Sequence, residues 1–340
     1  MTTRPTAPQS SSTPLQLSLV AAVPMPDRAP TAADADARAW QIGRDHARHG
    51  LALPAAHLHA GSPLYAGWCA GQARRSTARH RDPAPGLRSW LQLRLQAWCE
   101  GLDYDDALLT PNYLRQLEAP HCPVTRQQLV DEQGDPRERV VVRLLQHEGY
   151  RAGHLVQLSR VAAQALQGRS LAELQQRALL ALRLAEPLDG LTPSAWARLA
   201  SLVAYVTPSA EAGVQRLLPP NRLRLAHPEQ ALQAWLTRQL LNPGWSQRLQ
   251  TLTEAMPSVA SHQAARLLSA VLAPHALCLP TEMPARLWML EDMWTQDARL
   301  QRRWLQLVAL LSPLTLERLL QQLPAPAGWV VEQHASLLAA

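Results

Sequence analysis

Phenylalanine and lysine are both missing from the 340 residues. Without Phe, and with only five Tyr, the eleven Trp are the large anchors of any core or interface. Without Lys, all 33 basic residues are Arg, the usage of a GC-rich genome, so arginine abundance alone carries little functional weight. Four cysteines, Cys69, Cys99, Cys122 and Cys278, lie far apart with no Cys-x-x-Cys pair, which argues against a disulfide framework and for reduced thiols in a cytoplasmic protein. No run of about 18 apolar residues occurs, so no membrane span is expected. A Gly-x-Ser-x-Gly elbow, a Gly-rich phosphate loop and a His-Glu-x-x-His pair are also missing, which disfavours the common motif-borne hydrolase and nucleotide-binding classes.

What is present is a hydrophobic content of 47%, enough for a sizeable core, in a chain long enough for two domains. The net charge of +6 permits a polyanionic partner without requiring one. The surplus is thin along most of the chain. It concentrates at Arg74, Arg75, Arg79, His80, Arg81 and Arg88, opposed only by Asp82, a candidate phosphate-facing patch or a solvated linker.

Residues 1–33 are rich in Pro, Ser, Thr and Ala, a composition that does not offset the entropy of ordering, and are expected to be a disordered tail. A helix is predicted from Thr31–Asp36 to the glycine stop at Gly50, and a second from the Ser62-Pro63 cap to about Arg75. After the Asp82–Gly86 linker, Leu87 to Leu102 returns to helix. Asp103, Asp105 and Asp106 are expected to cap and charge the next helix, with a divalent cation as the alternative reading. Pro111 to Leu117 is a short helix.

The stretch His121 to Leu166 combines a Cys-Pro turn, a polar loop closed by Gly134-Asp135-Pro136, a β-branched strand, a Gly-Tyr-x-x-Gly turn and a helix. Through Cys122, Pro123, Thr125, Arg143, Gly149, Tyr150, Gly153, Val156 and Arg160 it resembles the ββα core of HNH-type endonucleases, in the branch that continues Cys-Pro-x-Thr with Gly. The resemblance implies a strand pair backed by a helix over Val140 to Leu166, and a metal-dependent nuclease ancestry. It also implies a change of chemistry: Val142 stands where that family has its metal-binding Asp, His154 where it has Asn, and Ala163 or Gln164 where a later Asn falls. Catalytic candidates are His147 and His154; candidate metal ligands are Cys122, His147 and His154, with Cys99 added in an alternative zinc set. No cofactor is expected, a divalent metal being the alternative. Arg143 is a candidate phosphate contact.

The preceding helix pair, through Trp40, Gly43, Gly50, Tyr65, Gly67, Trp68 and Gly71, resembles the ribosome modulation factor family, which implies contact with ribosomal RNA. The family's Cys-Pro before the second helix is replaced here by Ser62-Pro63. The plain structural alternative is that Gly43, Gly67 and Gly71 let two helices approach closely while the indoles fill their seam.

From Ser170 onward the punctuation is helical throughout. Ser170 to Glu173 is a capping box, and proline-led starts follow at Thr192-Pro193, His227-Pro228, Pro284 and Ser312-Pro313. Helices are predicted at 170–186, 192–206, 209–218, 228–241, 245–256, 259–273, 284–311, 313–323 and 328–338. Trp288, Trp294 and Trp304 lie on the strongest apolar stripe, which reads as core or as a partner-binding groove.

The expected architecture is mainly α: a tail (1–33), a helix pair (34–81), a helical region with a small degenerate ββα element (87–169), and an irregular helical bundle or short α-solenoid (170–340). The favoured function is a non-catalytic nucleic-acid-associated protein, RNA or DNA, using Arg74, Arg75, Arg79, Arg81 and Arg143. The first alternative is a helical scaffold for a protein partner, using the tryptophan stripe; the second is a divergent metal-dependent HNH-like nuclease.

Overall fold

A computed structural model describes residues 32–73, 84–209, 213–323 and 330–331. Most of the expected tail, the arginines of 74–81, residues 210–212 of the predicted 209–218 helix and all of 328–338 except 330–331 lie outside the described residues.

The chain is mainly helical. Helices α1 (Ala32–Arg48) and α2 (Pro63–Ala73) cross at a distance that only glycine permits. A Cβ on Gly67 would lie 1.9 Å from the Trp40 carbonyl oxygen, one on Gly43 would lie 1.9 Å from the Leu64 oxygen, and one on Gly71 would lie 2.6 Å from the Arg44 oxygen. The three glycines therefore have a packing reason, and Trp68 closes the seam by donating its indole N–H to the Leu51 carbonyl at 3.2 Å. Trp40 meets Gly67 and Arg44 meets Gly71, so the two helices run in the same sense and their C-terminal ends lie together. Helix α3 (Pro85–Cys99) packs on α1, where buried His46 bonds the Leu91 carbonyl at 3.0 Å and burial lowers the imidazole pKa.

The three acids after α3 do not start a helix. Asp105 accepts the N–H groups of Ala107 and Leu108 to cap a turn, Asp106 pairs with Arg94 at 2.9 Å, and the Asp103 carbonyl accepts the Tyr150 N–H at 2.7 Å. The next helix, α4 (Pro111–Gln116), is capped instead by Thr110, whose side chain accepts the Tyr113 N–H.

The expected strand pair and helix are present. Strand β1 (Arg139–Arg143) pairs antiparallel with β2 (Leu155–Ser159), Val141 opposite Gln157, and α5 (Arg160–Leu166) follows directly and packs against both strands. Every residue of β2 is buried. Its core is not private: Cys122, Val156, Leu158 and Leu166 form one cluster with Trp196, Leu199 and Tyr205, so the boundary expected at 169–170 does not divide the core.

Helices α6 (Leu171–Leu184) and α7 (Pro193–Ala204) begin at the predicted caps, Ser170 and Thr192. The expected 209–218 helix is not found over 213–218. Backbone groups there are taken by distant partners: Gln215 N–H by Gln233, Leu218 N–H by Glu291, and the Leu217 carbonyl by the Tyr205 hydroxyl. Strand β3 (Arg224–Leu225) leads to α8 (Pro228–Leu240) and α9 (Trp245–Glu254). Helix α10 (Val259–Leu277) continues through Pro274, where a stop was expected; its last turn is fixed by His275, 3.0 Å from Asp297.

The predicted 284–311 helix is two, α11 (Ala285–Gln296) and α12 (Ala298–Val308). They are divided by Asp297, whose carboxylate accepts the N–H groups of Arg299 and Leu300 and so starts a new helix. Helix α13 (Pro313–Gln322) returns to α8, and α10 packs on α12 across the intervening α11. This out-of-order pairing is that of a bundle rather than a stacked array. Val330–Val331, expected in a helix, form β4, parallel to β3. Among the described residues no helix is long and apolar enough to cross a membrane.

Candidate functional site

The HNH-type resemblance puts its metal-binding Asp at Val142 of β1 and its later Asn at Ala163 or Gln164 of α5. A cavity of about 290 Å³ lies there, walled by Val142, Arg143, Arg160, Gln164 and Glu100. Glu100 is the one carboxylate among the lining residues, and it is engaged: it accepts the Tyr150 hydroxyl and Arg143, both at 3.2 Å. Val142 and Ala163 offer no donor atom. These residues do not fit a divalent metal, which requires several deprotonated ligands from this wall.

The proposed ligands do not come together as a set: His147 and His154 both lie near Glu148, and Cys122 is apart from them. Cys122 is fully buried, accepting the Ser159 hydroxyl at 3.4 Å at the far end of β2. His154 precedes the near end, about 16 Å away at the usual strand rise. His154 lies 3.6 Å from Glu148, and exposed His147 lies 4.0 Å from the other oxygen of that carboxylate. Cys99 sits beside His57, 3.5 Å from Nε2, and burial pushes its thiol pKa up, with Glu100 adding to the effect. Among the described residues no group of three or more His, Cys, Asp or Glu side chains is arranged to hold a metal ion.

Arg143 is committed internally. One terminal nitrogen donates to the carbonyls of Gln146, at 3.0 Å, and Glu148, at 2.5 Å; the other reaches Glu100, and the guanidinium lies 4.7 Å from the centre of the Tyr150 ring. Its geometry is that of a turn clamp rather than of a phosphate contact.

Arg126, which the sequence reading did not single out, links the ββα element to the helical half. It occupies the position where the resembled family has glycine, and its backbone is left-handed, φ +62°. That conformation costs a side-chain-bearing residue about 1–2 kcal/mol. The guanidinium grips Asp292 at 2.7 and 2.8 Å, reaches Glu291 at 3.0 Å, and lies 5.6 Å from the Trp288 ring centre. Burial pushes the Glu291 pKa up to about 7, against the Leu218 N–H and the charge of Arg126. On the other side, Arg198 donates Nε–H to the Val124 carbonyl at 2.7 Å, and burial together with Arg126 draws its pKa down to about 10.

Beside this junction opens a cleft of about 510 Å³, with Pro120, His121 and Pro123 on one wall and Leu241, Met283 and Trp288 on the other. His121 meets the Trp288 ring edge-on at 5.6 Å. Trp288 is half-buried and lines the cleft. Trp294 and Trp304 are not available to a partner: both are buried, packed edge-to-face at 5.5 Å, with the Trp294 N–H bonded to Thr237 at 2.8 Å. For these two the core reading holds.

Arg74, Arg75, Arg79 and Arg81 lie outside the described residues. The residues leading to them are described. Arg48 is exposed at the end of α1 and Arg44, one turn earlier, is half-buried over the Trp40 ring at 4.9 Å; Asp45 is shared by three guanidinium groups, Arg44 and Arg48 at 3.8 Å and Arg94 at 3.4 Å. No protein-family model matches the chain, and no curated protein and no solved structure matches it.

Proposed function

We propose that the chain is a non-catalytic nucleic-acid-associated protein that contacts phosphate with the basic end of the α1–α2 pair. The observation that supports this most is the sharing of Asp45 among Arg44, Arg48 and Arg94 at the place where α2 ends and the sequence continues into Arg74, Arg75, Arg79 and Arg81. Asp45 and Asp106, the latter 2.9 Å from buried Arg94, offset two of the three charges, and the arginines that follow add four more against Asp82 alone. The ββα element contributes structure in this reading: its donor set does not suit a metal, so no hydrolytic step is assigned to it. Cytoplasmic location and a ribosome-linked nucleic acid, RNA or DNA, are the finer parts of the same proposal. Filter binding across a salt series tests it, with Arg74, Arg75, Arg79 and Arg81 changed together to Gln.

A second reading is a protein partner seated in the cleft, favoured by the half-buried Trp288 and its largely apolar walls. A photo-cross-linking residue at Met283, in nuclease-treated extract, would capture such a partner, and Trp288→Ala would abolish the capture.

A further inference from the structure

The outward side of α12 carries a second concentration of positive charge. Arg299, Arg302 and Arg303 fall within five residues, and no Asp or Glu occurs from Ala298 to Leu316. Arg299 and Arg302 are exposed and Arg303 is half-buried, while Leu300, Trp304 and Leu307 on the opposite side are buried in the core. The nearby acids are already used: Asp297 caps α12 and pairs with His275, and Glu291 and Asp292 hold Arg126. Arg302 bonds the Ala298 carbonyl of its own helix at 3.3 Å and Arg303 bonds Gln306 at 2.9 Å. Among the described residues no ion pair joins any of the three to an acid. Arg94, Arg139, Arg143 and Arg160 each have one.

We infer that this ridge is a second phosphate-binding surface that takes the backbone of a nucleic-acid duplex. The inference deepens the nucleic-acid reading and rests on it, but uses residues remote in sequence from 74–81. Arg299 and Arg303 are separated by about 6 Å along a helix axis, a span of roughly two phosphate steps of one strand, which carries a charge every 3.4 Å or so along the duplex axis. Base stacking is not available, because Trp304, the one aromatic of α12, is 3% exposed. Insertion into a lipid surface would need the apolar side of α12, which the protein core already holds.

The test uses the full chain, a DNA duplex, an RNA duplex of the same sequence and vesicles of phosphatidylcholine with phosphatidylserine. The R299Q/R302Q/R303Q variant is compared with R74Q/R75Q/R79Q/R81Q. Loss of three phosphate contacts lowers the slope of log K against log salt by about 2 to 3, with the thermal midpoint unchanged. A ridge variant whose slope matches wild type, while the other variant's slope falls, overturns the ridge and leaves the first reading standing. Absence of duplex binding by the wild type overturns both. Vesicle binding that the ridge substitutions abolish, with duplex slopes unaltered, overturns the nucleic-acid assignment of the ridge.

Discussion

Arg126 and Asp292, separated by 166 positions in the chain, are joined by two parallel hydrogen bonds of 2.7 and 2.8 Å. With Glu291 at 3.0 Å, they tie the Cys-Pro turn to α11. Removing the cation from this half-buried group leaves a carboxylate in the interior, which costs about 3–5 kcal/mol in comparable cases. Arg126→Ala is expected to lower unfolding free energy in denaturant by that order. Arg126→Gly loses the same bonds but suits φ +62°, so it should be about 1 kcal/mol less harmful. Equal losses for the two variants would show that the left-handed backbone is not strained.

Glu291 gives stability a pH dependence of unusual sign. Its pKa in the folded chain is about 7, raised by burial above the ordinary 4.5, so between those values the folded state holds a proton that the unfolded state releases. The contribution is fully present below 4.5 and is lost as pH rises through 7, an effect on the order of 3 kcal/mol. Urea titrations across this window should show a decline that Glu291→Gln abolishes. A decline of the same size in the variant would assign it to other groups.

Gly67 has no room for a side chain. Gly67→Ala forces α1 and α2 apart at the Trp40 carbonyl and should cost about 1–3 kcal/mol, as overpacking does. Trp68 would lose its bond to Leu51, with a shift in tryptophan emission. Gly61, whose nearest neighbour to a Cβ is 3.6 Å away, is the control, and Gly61→Ala should leave both readouts unchanged.

Arg143→Ala separates structure from binding. The arginine serves two carbonyls and one carboxylate, so the variant should lose about 2–3 kcal/mol of stability, the scale of charge-assisted hydrogen bonds. Its salt dependence of nucleic-acid binding should match that of wild type. A reduced slope would return Arg143 to the phosphate contacts.

The legible parts of the fold were those written locally. Ser170 with Glu173, Thr192-Pro193 and Ser312-Pro313 each place a side-chain hydroxyl that accepts a free backbone N–H at a helix start, the last two with a proline behind it, and the helices begin there. The strand pair and helix of the ββα element also follow a contiguous pattern. Asp297 was missed because a single polar residue is outweighed by the apolar period on either side, although its capping bonds divide α11 from α12. Residues 213–218 were assigned to helix because their tertiary hydrogen-bond partners, Gln233, Tyr205 and Glu291, are remote. The same remoteness hid the Arg126 junction; an arginine in a turn where the resembled family has glycine was its only local sign. Periodicity places Trp288, Trp294 and Trp304 on one apolar stripe but does not tell core from groove: Trp294 and Trp304 are buried and Trp288 opens onto a cleft.

The most direct measurement is the equilibrium affinity of the intact chain for RNA and DNA across a salt series. The account predicts a linear fall of log K with log salt, and a slope reduced by about 3 to 4 on changing Arg74, Arg75, Arg79 and Arg81 to Gln, at 0.7–0.9 per phosphate contact. Affinity that does not vary with salt, or a slope that survives the four substitutions, would contradict it.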